Sequence, residues 1–195
     1  MASCYFVGWL AAQRVDAEQA LEKQARREFD SGDYPAAARD FSELTKRRPG
    51  DIPSHILLGL ALFRLEKYED SIRPFEISLT LEKGGLPLST DQRRIVADQL
   101  AMAYGIVGRF EDARSLLGKA IKQDLDYPLN YYNLACLFAE EGNKAQMLAN
   151  LDLAFQKKTH VLKGEQMPDP RTDSSFKNYV GDADFIALMR KLGFD

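Results

Sequence analysis

The sequence has 195 residues, of which 45% are hydrophobic and 28% charged, and its net charge is −3. A chain with this apolar content can bury a core, which excludes disorder of the whole chain. The weak negative charge gives no bulk attraction to nucleic acid, so no nucleic-acid partner is expected. Cys4 and Cys136 lie far apart, which excludes a disulfide framework and a CxxC zinc site.

The first element is an apolar run from Cys4 to Ala12 (CYFVGWLAA). It is shorter than the ~20 residues that cross a bilayer, so no stable membrane span is expected. Two interpretations of residues 1–15 stay open. The run resembles the apolar part of a secretory signal, which would make the protein periplasmic or secreted, although no Lys or Arg precedes it. Alternatively it is an apolar segment that fills a groove, and a cytoplasmic location is then favoured.

After this segment the chain repeats one layout four times: a helical run, a turn and a second helical run. The turns are marked by SGDYPAAARDF at Ser31, LEKYEDSIRPF at Leu65, VGRFEDARSLL at Val107 and EGNKAQMLANL at Glu141. The first two markers lie 34 residues apart, as do the last two, and an insert at about residues 84–91 lengthens the middle interval. This spacing predicts a repeat array over residues 16–160.

Small residues recur at matching places in the repeats. The first helices carry Ala25, Gly59, Ala101 and Ala135, and the second helices carry Ala37, Ser71, Ala113 and then the larger Met147. Near the ends of the second helices stand Leu44, which is also larger, and then Ser78, Ala120 and Ala154. Two helices approach within ~8–10 Å where the side chains between them are small. The pattern therefore predicts closely packed helical hairpins, with units at about 18–51, 52–85, 94–127 and 128–159.

This arrangement resembles the tetratricopeptide repeat family from roughly Glu18 to Thr159. The first unit departs from the family pattern at Gln24 and Glu28, where large apolar or aromatic residues are usual. The resemblance implies an all-α fold, a right-handed α-solenoid of about four helix pairs.

The tail, residues 161–195, resembles the capping module that closes many bacterial proteins of this family. Its loop contains Pro168 and Pro170, and two short helices are expected to follow. Phe176 and Tyr179 belong to the first, and the apolar stripe Phe185, Leu188, Met189 and Leu192 belongs to the second. Terminal repeats expose an apolar face, so the tail is expected to cover the fourth unit.

Residues suited to catalysis do not converge in the sequence. His55 and His160 have no His, Cys or carboxylate at ligand spacing, and the aspartates of the tail lack the EF-hand pattern. Lys46-Arg47-Arg48, the basic cluster, lies in the last turn of a helix, where cations stabilise the helix dipole. The expectation is a non-catalytic protein without a cofactor or a metal.

The first helix of each unit is expected to line the concave side of the array. Helical spacing places thirteen candidate partner-binding residues on that face: Arg26, Phe29, Ile56, Leu60, Phe63, Arg64, Ile95, Asp98, Met102, Ile106, Leu129, Tyr132 and Cys136. Family members that bind chaperone tails place Lys, Asn and Arg around a carboxylate. The corresponding places here hold Glu22, Arg26, Leu57, Ile95 and Gln99, so that ligand is rejected.

An apolar surface of this length predicts a scaffold that binds a protein partner, either as an apolar peptide or as an amphipathic helix. The main alternative is a self-associating structural or assembly subunit, a homo-oligomer that uses the N-terminal segment. A regulatory domain of a larger machine would have the same sequence features, and an enzyme is the least favoured alternative.

Overall fold

The computed structural model describes the backbone of residues 2–194 and the side chains of residues 13–194. Over this range the chain forms nine α-helices, two short 3-10 helices and no strand, which confirms the all-α prediction. The chain divides into two compact units, Met1–Leu88 and Ser89–Asp195. These are called unit 1 and unit 2 from here on, and each is larger than one of the four predicted repeats.

Unit 1 contains four helices: α1 (Ala2–Ser31), α2 (Tyr34–Arg47), α3 (Ile52–Arg64) and α4 (Tyr68–Lys83). Each helix packs against the next in the chain. The predicted N-terminal segment falls in the first part of α1, and its side chains lie outside the described residues. Pro74 lies within α4, which continues through it to Lys83.

The turn within each helix pair uses one left-handed residue. In the α1–α2 turn this residue is Gly32, with φ of 83°, and Asp33 then caps α2 by accepting a hydrogen bond from the Ala36 amide at 3.2 Å. The α3–α4 turn has Glu66 at the matching place, with φ of 59°. Since a Cβ is strained in this conformation, the second repeat has the less favourable turn.

Unit 2 contains five α-helices: α5 (Thr90–Ile106), α6 (Phe110–Gln123), α7 (Pro128–Glu140), α8 (Lys144–Gln156) and α9 (Ala183–Leu192). The 3-10 helices are Lys158–His160 and Ser174–Phe176. A capping box starts α5: the Ser89 side chain accepts from the Gln92 amide, and the Gln92 side chain accepts from the Ser89 amide.

The small residues of the repeat are buried between the helices. Ala25, Gly59, Ala101 and Ala135 of the first helices are all buried, as are Ala37, Ser71, Ala113 and Met147 of the second helices. Leu44, Ser78, Ala120 and Ala154 are also buried. Close packing at these positions is therefore confirmed within each unit.

The tail of unit 2 packs on α7 and α8. Phe176, Phe185 and Met189 are buried in one core with Tyr132 and Phe155. Only one of the two tail helices is α-helical, because Phe176 ends a single 3-10 turn and Tyr179 lies in the turn that follows it. The Asp182 side chain caps α9 by accepting from the amides of Asp184 and Phe185.

Candidate functional site

Unit 2 contains a pocket of about 660 Å³ between α5, α7 and the loop that carries Pro168 and Ser175. Six of the seven unit 2 residues predicted for the partner-binding face line it: Asp98, Met102, Ile106, Leu129, Tyr132 and Cys136. We call it the α5–α7 pocket. The seventh predicted residue, Ile95, is half-buried on α5 and is not part of the lining.

The apolar part of the α5–α7 pocket has a buried wall and an exposed edge. Leu129 and Leu137 on α7 are buried and form part of the wall. On α5, the exposed fraction is 39% for Met102 and 53% for Ile106. These two side chains therefore offer apolar surface that no described residue covers.

Asp98 is the most buried carboxylate of the pocket, with 6% of its surface exposed. Its side chain accepts hydrogen bonds from Asn133 Nδ2 and from Gln99 Nε2, each at 2.7 Å. Burial raises the pKa of Asp98 from 3.8 to about 6, and the two hydrogen bonds oppose that rise. Asp98 is therefore still charged at neutral pH.

The tail loop is held against α7 by polar and aromatic contacts. The Tyr132 hydroxyl donates to Asp173 Oδ2 at 2.9 Å, and the Phe176 ring packs edge-on against the Tyr132 ring with 5.7 Å between centroids. Asp173 also accepts from the Ser175 amide at 2.9 Å. Because these contacts tie the loop to the α7 side of the pocket, Asp173 and Ser175 become lining residues.

The ionisable residues that line the α5–α7 pocket, apart from the Tyr132 and Cys136 side chains, are Asp98, Glu140 and Asp173, all acidic. No Lys or Arg is among the described residues that line it. Burial raises the pKa of the Cys136 thiol above its ordinary value, so this thiol stays protonated and is a poor nucleophile. The pocket therefore combines apolar surface with negative charge.

In unit 1 the six predicted residues do not line a described pocket. Ile56 is buried, while Leu60 is half-buried and Arg64 is exposed on the same helix. Phe29 and Phe63 pack edge-on against Tyr34 and Tyr68, with 5.4 and 5.0 Å between ring centroids. Arg26 forms an ion pair with Glu22 at 3.0 Å.

Sequence reasoning missed four polar lining residues of the pocket: Asn133, Asp173, Ser174 and Ser175. Asn133 follows the predicted Tyr132 directly, and helical spacing alone assigns such a neighbour to another face. The tail residues belong to a loop and the single 3-10 turn that follows it, for which α-helical periodicity carries no signal.

In the described part of the chain, no three His, Cys, Asp or Glu residues form a group that could hold a metal ion. Among the helices searched there, none has the length and apolar character needed to cross a membrane.

Comparison with known proteins gives a family match and several structural neighbours. Residues 22–81 match the family model described as tetratricopeptide repeat. No curated protein matches the chain. A crystal structure of MamA protein is similar with a TM-score of 0.68 and 16% identity, covering 90% of this chain and 89% of that one.

Two further solved structures have the same fold. MamA from residue 41 to its end, from Desulfovibrio magneticus RS-1, has a TM-score of 0.64 at 14% identity and covers 74% of this chain and 77% of that one. TTC0263, a thermophilic TPR protein of Thermus thermophilus, has a TM-score of 0.56 at 18% identity, with coverages of 73% and 75%. The matched residues 22–81 identify a tetratricopeptide repeat in this chain, and together with the 34-residue spacing of the helix pairs these likenesses show that the chain has the fold of tetratricopeptide repeat proteins.

Proposed function

We propose that the α5–α7 pocket binds an apolar peptide or one face of an amphipathic helix from a protein partner. Tetratricopeptide repeats serve in general as scaffolds for protein–protein interaction, and their stacked helices provide the binding surface. The observation that supports this site is the exposed pair Met102 and Ile106 beside the buried wall of the pocket. The proposal includes no catalysis, since the Cys136 thiol is protonated and the Asp98 and Asp173 carboxylates accept hydrogen bonds from neighbouring side chains.

The apolar surface of the pocket sets the affinity that burial alone can give. Covering about 300 Å² of apolar surface contributes on the order of 7 kcal/mol at ~25 cal/mol per Å². Loss of translational freedom and ordering of a peptide cost several kcal/mol of this, so apolar burial by itself gives a dissociation constant of roughly millimolar, and tighter binding requires additional polar contacts.

The acidic lining adds a preference to this proposal. Asp98, Glu140 and Asp173 would attract a Lys or Arg that follows an apolar anchor in the ligand. A bound cation stabilises the charged form of Asp98, so binding would lower the pKa of that carboxyl from about 6.

The test is a selection of peptides from a random display library on the full chain, followed by fluorescence anisotropy with the selected peptides. We expect apolar sequences with at least one Lys or Arg, and a loss of affinity of at least tenfold for Met102→Glu and for Ile106→Glu. The matched control is Leu125→Glu, since Leu125 is exposed in unit 2 away from the pocket.

If all three variants bind the selected peptides alike, the α5–α7 pocket is not the site. A Leu60→Glu variant should also leave affinity unchanged, because Leu60 belongs to unit 1 and lines no described pocket. If only Leu60→Glu lowers the affinity for the selected peptides, the binding site lies on the first helices of the repeats in unit 1 instead.

A second candidate function is self-association through the N-terminal segment. It rests on the apolar run Cys4–Ala12, which is too short to span a bilayer. Light scattering across concentrations should show a dimer or larger oligomer that is lost when residues 1–12 are deleted, or deletion should increase binding of a dye to apolar surface. An unchanged mass and unchanged dye binding would count against this function.

A further inference from the structure

Unit 1 contains a groove of about 1050 Å³ between α2 and α4, with α3 as its floor. We call it the α2–α4 groove. None of the residues that sequence analysis assigned to the partner-binding face lines it. It is thus a surface separate from the site proposed above.

The floor of the α2–α4 groove is apolar. Leu58 and Pro74 are buried beneath it, whereas Leu62, Leu65 and Ile77 are only half-buried and keep part of their surface accessible. The accessible apolar surface forms because α2 and α4 each pack against α3 and leave a gap between them. Such a gap can accept a row of apolar side chains from another segment.

The rim of the groove carries cations that have no partner among the described residues. Lys46, Lys67 and Arg73 are exposed lining residues, and none of them forms an ion pair there. The neighbours of Lys46 differ from it, because Arg47 pairs with Glu43 at 2.9 Å and Arg48 with Glu22 at 2.8 Å. Of the basic cluster, only Lys46 is therefore available to a ligand in this groove.

The charges on the lining are unbalanced. Among the described side chains that line the groove, Arg39 is the fourth cation and already contacts Asp40 at 2.8 Å, and Asp70 is the one carboxylate. Counterions and water screen exposed charges, so the imbalance attracts an acidic ligand most strongly at low salt.

The positions of the cations suit an elongated ligand. α2 and α4 run in the same direction, because each is joined to α3 by a short turn and packs against it. Lys46, near the end of α2, and Lys67, at the start of α4, therefore mark opposite ends of the groove. With 14 residues, α2 is about 20 Å long, which matches a ligand helix of similar length.

One buried lining residue of the groove, His55, has a ring nitrogen without a partner among the described residues. Only 5% of its surface is exposed, and it lines the groove. Its Nε2 donates to the Pro49 carbonyl oxygen at 3.0 Å, which leaves Nδ1 as the acceptor. Nδ1 is buried without a hydrogen-bond partner among the described residues, and such an atom is normally satisfied.

We propose that the α2–α4 groove binds an acidic amphipathic helix of a protein partner. Apolar residues at helical spacing would cover Leu62, Leu65 and Ile77, and flanking Asp or Glu residues would pair with Lys46, Lys67 and Arg73. A nucleic-acid ligand is disfavoured by the described lining residues, which form an apolar floor and include no Phe, Tyr or Trp on which bases could stack.

The probe for this site is a fluorescein-labelled helical peptide of fourteen residues with Leu at i, i+3, i+4, i+7 and i+11 and Glu on both flanks of that stripe. Anisotropy with the full chain should give saturable binding that weakens as salt is raised. The same peptide with Lys in place of Glu should bind at least tenfold more weakly.

Two double variants with the same charge change locate the binding. The double variant Lys46→Glu with Arg73→Glu should lower the affinity for the Glu peptide at least tenfold. Lys119→Glu with Lys122→Glu, on the exposed side of α6, should change its affinity less than twofold. Met102→Glu should leave the affinity for the Glu peptide unchanged. Failure of the proposal for the α2–α4 groove can therefore be distinguished from failure of the proposal for the α5–α7 pocket.

Three results would overturn the proposal: equal binding of the Glu and Lys peptides, equal losses in the two double variants, or displacement of the Glu peptide by a single-stranded oligonucleotide at lower concentration than by unlabelled Glu peptide. All four substituted residues are exposed, so the double variants are expected to fold. Circular dichroism of each variant checks that a loss of affinity is not caused by unfolding.

Discussion

The ring of Phe75 on α4 lies directly against the backbone of Gly59 on α3. A Cβ added to Gly59 would come within 2.7 Å of Phe75 Cε1 and 2.8 Å of Cζ. Phe75 is fully buried, so its ring has no open space into which to move. The close approach of these two helices therefore depends on the missing side chain.

Gly59→Ala is expected to destabilise unit 1 by roughly 1–2 kcal/mol. The overpacking cost, typically ~1–3 kcal/mol, exceeds the gain of up to ~1 kcal/mol from replacing glycine in a helix. Urea denaturation followed by circular dichroism measures the change. The control is Gly118→Ala in α6, where an added Cβ meets nothing within 4 Å. This control should stabilise by about 0.5–1 kcal/mol, and a stabilising effect at both positions would contradict the packing argument.

Glu66→Gly is expected to stabilise the chain by about 0.5–1 kcal/mol. Glu66 has φ of 59°, a left-handed conformation that costs a residue with a Cβ about 1–2 kcal/mol. Glycine removes this cost but gains freedom in the unfolded chain, which reduces the net effect. The reciprocal change, Gly32→Glu at φ of 83°, should destabilise by a similar amount. The midpoint of urea denaturation should move in opposite directions for the two variants, and movement in one direction would refute the strain argument.

Ionisation of the Asp98 carboxyl is expected to lower the free energy of unfolding as pH rises from about 4 to about 6. Its folded-state pKa of about 6 lies above the ordinary 3.8, so the folded chain binds the proton more tightly in this window. The resulting destabilisation is on the order of 3 kcal/mol, fully present above pH 6 and absent below pH 4. Because other carboxyl groups titrate too, the measurement is the unfolding free energy of wild type minus that of Asp98→Asn. This difference should fall across the window, and a constant difference would show that Asp98 has an ordinary pKa.

Phe176→Ala is expected to destabilise unit 2 by about 3–4 kcal/mol. Phe176 is fully buried and joins the tail to the Tyr132 and Phe185 rings, so its truncation leaves a large cavity. The control is Val180→Ala, since Val180 is exposed and its truncation should change stability by less than about 0.5 kcal/mol. Thermal denaturation of both variants is the measurement. A loss below about 1 kcal/mol for Phe176→Ala would mean that the tail does not share the core of α7 and α8.

Much of the local structure followed from the spacing of turn residues and small residues. The small residues from Ala25 to Ala154 are all buried, because a helix pair can pack closely only where the intervening side chain is small. Six of the seven residues predicted on α5 and α7 line the α5–α7 pocket, and their role in partner binding stays a prediction. They lie together because helical periodicity predicts which residues share a face of a helix.

In unit 1 the same reasoning identified residues that line no described pocket. Phe29 and Phe63 lie near the ends of α1 and α3 and contact the first residues of the following helices, Tyr34 and Tyr68. The sequence shows both aromatic residues of each pair, but periodicity within one helix does not reveal contacts across a turn. The accessible groove of this unit lies between α2 and α4 instead.

The sequence by itself determined the helix pairs, their turns and the positions of close packing, because these depend on residues a few places apart in the chain. The tertiary structure decided which faces remain accessible and that the tail loop brings Asp173 to the α5–α7 pocket. It also decided that Lys46, unlike its neighbours, has no ion-pair partner among the described side chains. Such contacts join residues far apart in the chain, and their geometry depends on the packing of whole helices, which no local pattern encodes.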